Sequence, residues 1–95
     1  MLQYKAGYKY VAGGVHAQVV DFPAVITCAN DLAEAKRLLT AALLDVAETH
    51  LELGQPLPKP NPQATDVEMD FEEPIYLHLS ASSELDQVPA GEVAS

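Results

Sequence analysis

Residues 29–35, Ala29-Asn30-Asp31-Leu32-Ala33-Glu34-Ala35, decide the fold because they open the long periodic segment of the chain. Asp31 can cap a helix by accepting a hydrogen bond from the backbone N–H of the third helical residue. Glu34 can reach back to the backbone N–H of Asp31, which would complete a capping box. Gly54 occupies the position of a left-handed C-terminal cap, and prolines follow it. We therefore predict one helix between Asp31 and Gly54.

This helix has an apolar and an acidic side. Residues with the three-and-four spacing of one buried stripe are Leu32, Ala35, Leu39, Ala42, Leu43, Val46 and His50. At about 100° per residue, the carboxylates that fall on the opposite side are Glu34, Asp45, Glu48 and Glu52. Leu44 and Leu51 lie between the two sides. They either widen the core stripe or contact a second subunit or partner.

Three short strands are predicted before the helix. Gln3 to Val11 is rich in tyrosine, Ala12-Gly13-Gly14 supplies a tight turn, and Val15 to Val20 returns as the second strand of a hairpin. Asp21-Phe22-Pro23-Ala24 interrupts the ladder because proline has no N–H to donate. Val25 to Cys28 is short and β-branched, and we predict it as the third strand.

The segment after the helix is rich in proline and then in carboxylates. Alternating prolines from Gln55 to Pro62 predict an extended connector. The five carboxylates that follow within eight residues are Asp66, Glu68, Asp70, Glu72 and Glu73. Apolar residues alternate with the first of them and indicate an edge strand, and Ile75 to Leu79 is predicted as the last strand. We expect one domain over residues 1–80 and an acidic, disordered tail over residues 81–95.

The order strand, strand, strand, helix, strand predicts an α+β fold. It would be a three- to four-stranded antiparallel sheet with one long helix packed on one face. The other face of such a sheet is wet or available for association. A 95-residue chain has a small core, so we expect a homo-oligomer, a dimer or a tetramer. The candidate oligomer contacts are Leu44, Leu51 and Tyr76.

Charge is the most informative property of the composition. The net charge is −9 and the pI is near 4.4, which argues against direct nucleic-acid binding because that needs basic patches. Residues 1–50 carry four basic and five acidic groups, whereas residues 51–95 carry one basic and nine acidic groups. A basic protein partner is the natural complement. The alternative is that acidity only keeps a small domain soluble.

Apolar runs and cysteine count bear on the compartment. The longest apolar runs are only a few residues, so no membrane span is expected, and the N-terminus has no apolar signal-peptide core. The single cysteine, Cys28, excludes an internal disulfide. We therefore predict a cytoplasmic protein.

Residues for catalysis or metal binding are sparse. Cys28 has no cationic neighbour in sequence and is expected to be a small buried residue. His16, His50 and His78 lack ligand spacing, and His50 is expected as a hydrogen-bonded core residue. We expect no enzyme activity, no metal and no cofactor.

Several segments carry a family resemblance. They are Ala17-Gln18-Val19-Val20-Asp21-Phe22-Pro23-Ala24-Val25, then Ile26-Thr27, then Asp31-Leu32-Ala33-Glu34-Ala35, and finally Gly54-Gln55-Pro56-Leu57-Pro58. Together they resemble the HicB antitoxin family, whose N-terminal domain looks like a truncated ribonuclease H fold. Ala24 and Ala29 stand where that family usually has glycine, Val20 stands where it usually has proline, and Asp31 replaces a capping threonine.

The resemblance implies an antitoxin that binds and masks a small basic toxin of the HicA type, which cleaves mRNA. Catalysis would then belong to the partner. The contact residues we expect are Asp66, Glu68, Asp70, Glu72, Glu73, Asp45, Glu48 and Glu52. Many family members also carry a C-terminal DNA-binding domain, and the sixteen residues after Leu79 are too few to predict one. The alternative is a solitary HicB-like oligomer with a structural or ligand-binding role.

Overall fold

The structure is a computed structural model of the 95-residue chain, and it describes residues 1–78. Its elements in chain order are β1 (Leu2–Val11), β2 (Gly14–Val19), β3 (Ile26–Ala29), α1 (Leu32–Glu52) and β4 (Phe71–Leu77). The strands form one antiparallel sheet in the order β3-β2-β1-β4. The predicted α+β fold and its element order are confirmed. The predicted tail over residues 81–95 lies outside the described residues.

The register of the sheet places one set of side chains under α1. In β1 and β2, Ala6 pairs with Val19 and Tyr8 pairs with Ala17. On the other side of β1, Tyr4 pairs with Ile75. All six side chains are buried. Because successive residues of a strand point to opposite faces, their sequence neighbours face away from the helix.

The buried face of α1 completes the core. Ala35, Leu39, Leu43 and Ala47 are fully buried, and Val46 packs against them while remaining partly exposed. The predicted stripe is therefore correct in direction, although it omitted Ala47. The helix packs mainly against β3 and β2 and less against β4.

Both ends of α1 are capped. Asp31 Oδ1 accepts a hydrogen bond from the Glu34 N–H over 2.8 Å, as predicted. Glu34 Oε1, however, accepts from the N–H of Asn30 and not from that of Asp31, so its reciprocal bond reaches one residue further back. At the other end, Gly54 has φ +71°. Its N–H bonds the Leu51 carbonyl and the next N–H bonds the His50 carbonyl, which is a Schellman cap.

The position of Cys28 differs from the expectation of a buried residue, because its side chain is exposed. Cys28 pairs with His16 across the sheet, and both residues belong to the face turned away from α1. Thr27 and Ala29 occupy the helix-facing positions of this short strand. His50 is also less buried than expected. It is half-buried, with its ring edge-on to Phe22 and its Nδ1 3.2 Å from the Pro56 carbonyl oxygen.

The connector between α1 and β4 passes from one side of the sheet to the other. It begins beside the helix, where the Tyr4 hydroxyl donates to the Pro58 carbonyl over 2.7 Å. It then crosses the sheet end and reaches the outer face, where the Lys5 ammonium donates to the carbonyls of Pro62 and Ala64. Before β4 it covers Gly7, the neighbour of Ala6 on the outer face. The outer face of β1 is therefore covered by the chain itself at Lys5 and Gly7.

Candidate partner-binding site

The carboxylates of the connector bind their own chain. Asp66 Oδ1 accepts from the N–H of Glu68 over 3.0 Å, and Asp70 Oδ2 accepts from the N–H of Tyr10 over 2.6 Å. The first bond is local and shapes the turn before β4, whereas the second joins the residue before β4 to β1. Asp66, Glu68 and Asp70 have no ion pair among residues 1–78.

Glu72 and Glu73 lie on opposite faces of β4. Glu72 faces outward, 3.7 Å from the Lys5 ammonium, and accepts from the N–H of Asp66. Glu73 faces the helix and pairs with Lys36 over 3.2 Å. Because each carboxylate already has a lysine partner, neither presents an unpaired charge.

The helix carboxylates point to solvent. Asp45 and Glu52 are exposed and Glu48 is half-buried. None of the three forms an ion pair within the described part of the chain. They lie on the side of α1 opposite Leu39 and Leu43, and therefore away from the sheet. We call Asp45, Glu48 and Glu52 the acidic helix face.

The sheet separates the acidic helix face from the predicted contact residues 66–72, and only Glu73 of the later group lies on the helix side. The connector crosses the outer face of the sheet, whereas the acidic helix face lies beyond the helix on the other side. A single flat partner surface therefore cannot cover both. The eight carboxylates predicted as partner contacts therefore do not form a single site in the structure.

The predicted oligomer contacts are also divided. Leu44 is half-buried against the core. Leu51 lies about two turns further along the helix and is 43% exposed. Both lie on the flank of α1 that faces β4. Tyr76 is 44% exposed, and it alternates with the buried Ile75 and Leu77, so its side chain belongs to the outer face.

A groove of about 300 Å³ runs between α1 and β4, lined by Tyr8, Lys36, Thr40, Glu73 and Ile75 among others. The Tyr8 ring stacks on Phe71 with centroids 5.1 Å apart, and the Lys36 ammonium lies 6.0 Å above it. Burial raises the pKa of Tyr8 to about 12, and the charge and hydrogen bond of Glu73 add to the shift. The groove is thus lined by a neutral tyrosine beside the ion pair of Lys36 and Glu73.

Sequence reasoning missed the role of Lys5 and Asp21. One Asp21 oxygen accepts from the Lys5 N–H and the other accepts from the Asn61 N–H, each over 2.9 Å. This carboxylate therefore joins the sheet to the connector. The motif Asp21-Phe22-Pro23 was visible in the sequence, but its partner lies forty residues away and no local pattern identifies it.

Within residues 1–78, no group of three histidine, cysteine, aspartate or glutamate side chains is placed to hold a metal ion. In the same residues, no helix combines the length and apolarity that a bilayer crossing requires.

Comparison with solved structures identifies the architecture. The chain superposes on the crystal structure of the N-terminal domain of the antitoxin HicB from Burkholderia pseudomallei with a TM-score of 0.62 and 17% sequence identity. The match covers 82% of this chain and 100% of that one. This chain has the HicB N-terminal fold. The resemblance expected from the sequence is thus confirmed at the level of the fold.

Sequence comparisons give no further relatives. No protein-family model matches the chain. No curated protein matches it significantly either. The likeness to HicB therefore rests on the arrangement of strands and helix, with 17% identity between the two sequences.

Proposed function

We propose that this chain is an antitoxin-like protein-binding module that masks a small basic toxin of the HicA type, a ribonuclease that cleaves mRNA. The observation that supports the proposal most is the match to the whole N-terminal domain of an antitoxin. The net charge of −9 agrees with it, because opposite charge speeds the encounter with a basic partner and orients it. Catalysis belongs to the partner in this proposal.

The acidic helix face is the part of the chain to which we assign the contact. Asp45, Glu48 and Glu52 have no ionic partner within residues 1–78, so lysine or arginine side chains can approach without displacing an internal bond. The carboxylates of residues 66–73 act differently. They add to the long-range field that steers the partner, while most of them keep their bonds within the chain.

Co-expression with a small basic protein from the neighbouring reading frame tests this function. We expect the wild-type chain to restore growth that the basic protein inhibits. The triple variant Asp45→Asn/Glu48→Gln/Glu52→Gln should restore it poorly. The matched control Glu68→Gln/Glu84→Gln/Asp86→Asn has the same net charge with the acidic helix face intact, and it should restore growth nearly as well as wild type. Growth inhibition that persists with the wild-type chain would contradict the proposal.

The alternative function is that of a solitary oligomer with a structural or ligand-binding role. The observation that favours it is the exposure of apolar side chains near the end of α1, where Leu51 is 43% and Leu53 is 65% exposed. A chain that self-associates and binds no basic protein, at low and at moderate salt, would support this alternative over the antitoxin role.

A further inference from the structure

The two edges of the sheet differ in what they offer another strand. On the β4 edge, Pro74 pairs with Lys5. The Lys5 N–H donates to Asp21 and its carbonyl accepts from Val20, so both backbone groups of Lys5 point toward the β2 side. The Pro74 nitrogen therefore faces the open edge, at the position where a neighbouring strand would need a donor. Proline at such a position protects an edge against pairing.

The β3 edge has no such protection. The Val19 N–H donates to the Val25 carbonyl. The backbone N–H and C=O groups of Val19, and of the residues that alternate with it in β2, therefore point toward β3. Their partners, among them Thr27 opposite Ala17, are bonded to β2. The N–H and C=O groups of Ile26 and Cys28 consequently point outward, and they have no hydrogen-bond partner among residues 1–78. The Ile26 side chain is 49% exposed.

We propose that the β3 edge pairs with the β3 edge of a second copy of this chain, antiparallel and around a two-fold axis at Thr27. Ile26 and Cys28 are placed symmetrically about Thr27. Ile26 of one copy therefore pairs with Cys28 of the other copy, and Cys28 of the first pairs with Ile26 of the second. Two such pairs exchange four backbone hydrogen bonds. The product is an isologous dimer with a continuous eight-stranded sheet. This inference does not depend on the proposed antitoxin function.

The position of α1 is compatible with a second copy of the chain at the β3 edge. Because α1 packs mainly against β3 and β2, its axis lies about 5 Å from the proposed two-fold axis, given a strand spacing of about 4.8 Å. Two helices related by that axis would be about 10 Å apart, the usual distance for packed helices. The flank that they would share carries Leu38 and Ala42, and Asp45 lies about two turns beyond Leu38 on nearly the same side of the helix. Leu38 is half-buried beside Ala29 and Asn30 in a shallow recess, and Ala42 allows close approach.

Charge distinguishes this contact from the binding of a basic partner. Each copy carries −9, so two copies repel each other. Raising the salt concentration from about 0.1 M to about 1 M shortens the screening length from about 10 Å to about 3 Å. Dimerisation should therefore strengthen with salt, whereas the binding of a basic protein should weaken. A failure of one proposal thus leaves the other open to its own test.

A single cysteine on the two-fold axis tests the register. Thr27→Cys/Cys28→Ser places the two sulfurs across a pair whose Cα atoms are about 4.5 Å apart, within the range of a disulfide. We expect oxidation to give a covalent dimer in high yield. The control Thr65→Cys/Cys28→Ser has its cysteine in the connector and should give only a small yield. Equal yields from the two variants would overturn the proposed register.

Sedimentation of two matched pairs of variants tests the interface. Cys28→Pro removes an outward N–H without removing a bond to β2, and Leu38→Glu places charges between the helices. Each should weaken the dimer about tenfold or more, whereas Cys28→Ser and Leu51→Glu should change it by less than about twofold. Circular dichroism reports whether each variant is folded. A wild-type monomer at high micromolar concentration in about 1 M salt, or a dimer dissociated by Leu51→Glu alone, would overturn the proposal.

Discussion

The side chain of Met69 lies over the backbone of Gly7, where a Cβ atom would come within 2.6 Å of Met69 Cγ. The connector therefore rests directly on the outer face of β1, and the absence of a side chain at position 7 makes the contact this close. Val20 borders the same position, with its Cγ2 3.1 Å from the Cβ site. One face of β1 is thus packed against α1 and the other against the connector.

Gly7→Ala should destabilise the fold because the added methyl group overpacks this contact, by about 1–3 kcal/mol in the free energy of urea unfolding. Met69→Ala provides room, so Gly7→Ala should cost less in that background. A double-mutant cycle measures the difference. Equal costs in both backgrounds would show that Met69 does not cover Gly7.

Asp21→Ala should loosen the connector. It removes the acceptor for the N–H groups of Lys5 and Asn61, and bonds to a charged acceptor contribute about 1.5–3 kcal/mol each. We expect lower stability and faster amide hydrogen exchange at Asn61 than in wild type. Glu68→Ala, which removes a carboxylate with no ion pair within residues 1–78, is the control and should change stability by less than about 0.5 kcal/mol. Unchanged exchange at Asn61 in Asp21→Ala would contradict the assigned role.

Tyr8 should make stability sensitive to alkaline pH. Its pKa is raised to about 12, chiefly by burial and then by Glu73, above the ordinary value of about 10 in the unfolded chain. Below pH 10 the contribution of neutral Tyr8 is constant. Between pH 10 and pH 12 the unfolded chain loses the proton first, so wild type should lose stability relative to Tyr8→Phe. Urea unfolding of both proteins across this range gives the difference, and a difference that does not vary with pH would refute the shift.

Asp31→Ala should weaken the start of α1, because its carboxylate accepts the Glu34 N–H over 2.8 Å. Loss of such a cap costs about 1 kcal/mol. Asp31→Ser retains an acceptor and should be nearly neutral. Thermal unfolding followed by circular dichroism measures both variants, and equal melting temperatures for them would contradict the capping role.

Local signals predicted the helix and the hairpin because the causes of these elements are local. They placed the last strand at Ile75 to Leu79 after a separate edge strand, whereas β4 is a single strand, Phe71–Leu77. The cap at Asp31 and the glycine at Gly54 predicted α1 to within two residues, since capping depends on groups only a few positions apart. The same reasoning assigned the reciprocal bond to the wrong residue, because Glu34 can reach either neighbouring N–H. The prediction that Cys28 is buried was also wrong. Its apolar character favoured burial, but the register of β3 turned it outward.

The candidate contact surface was harder to predict because it depends on the path of the connector. The sequence shows how many carboxylates follow the helix, but not that the connector crosses to the outer face and binds Lys5 there. Glu72 and Glu73 illustrate the result. They are adjacent in sequence, face opposite sides of β4 and pair with different lysines. Which carboxylates remain for a partner is therefore a property of the tertiary structure.

Calorimetric titration of the chain with the purified small basic protein from the neighbouring reading frame tests the central proposal most directly. We predict a saturable complex whose dissociation constant rises with salt concentration, and which Asp45→Asn/Glu48→Gln/Glu52→Gln weakens by about tenfold or more, the equivalent of about 1.4 kcal/mol. The matched control Glu68→Gln/Glu84→Gln/Asp86→Asn should bind within about threefold of wild type. No measurable binding of the wild-type chain at low salt would contradict the proposal that it masks a basic toxin.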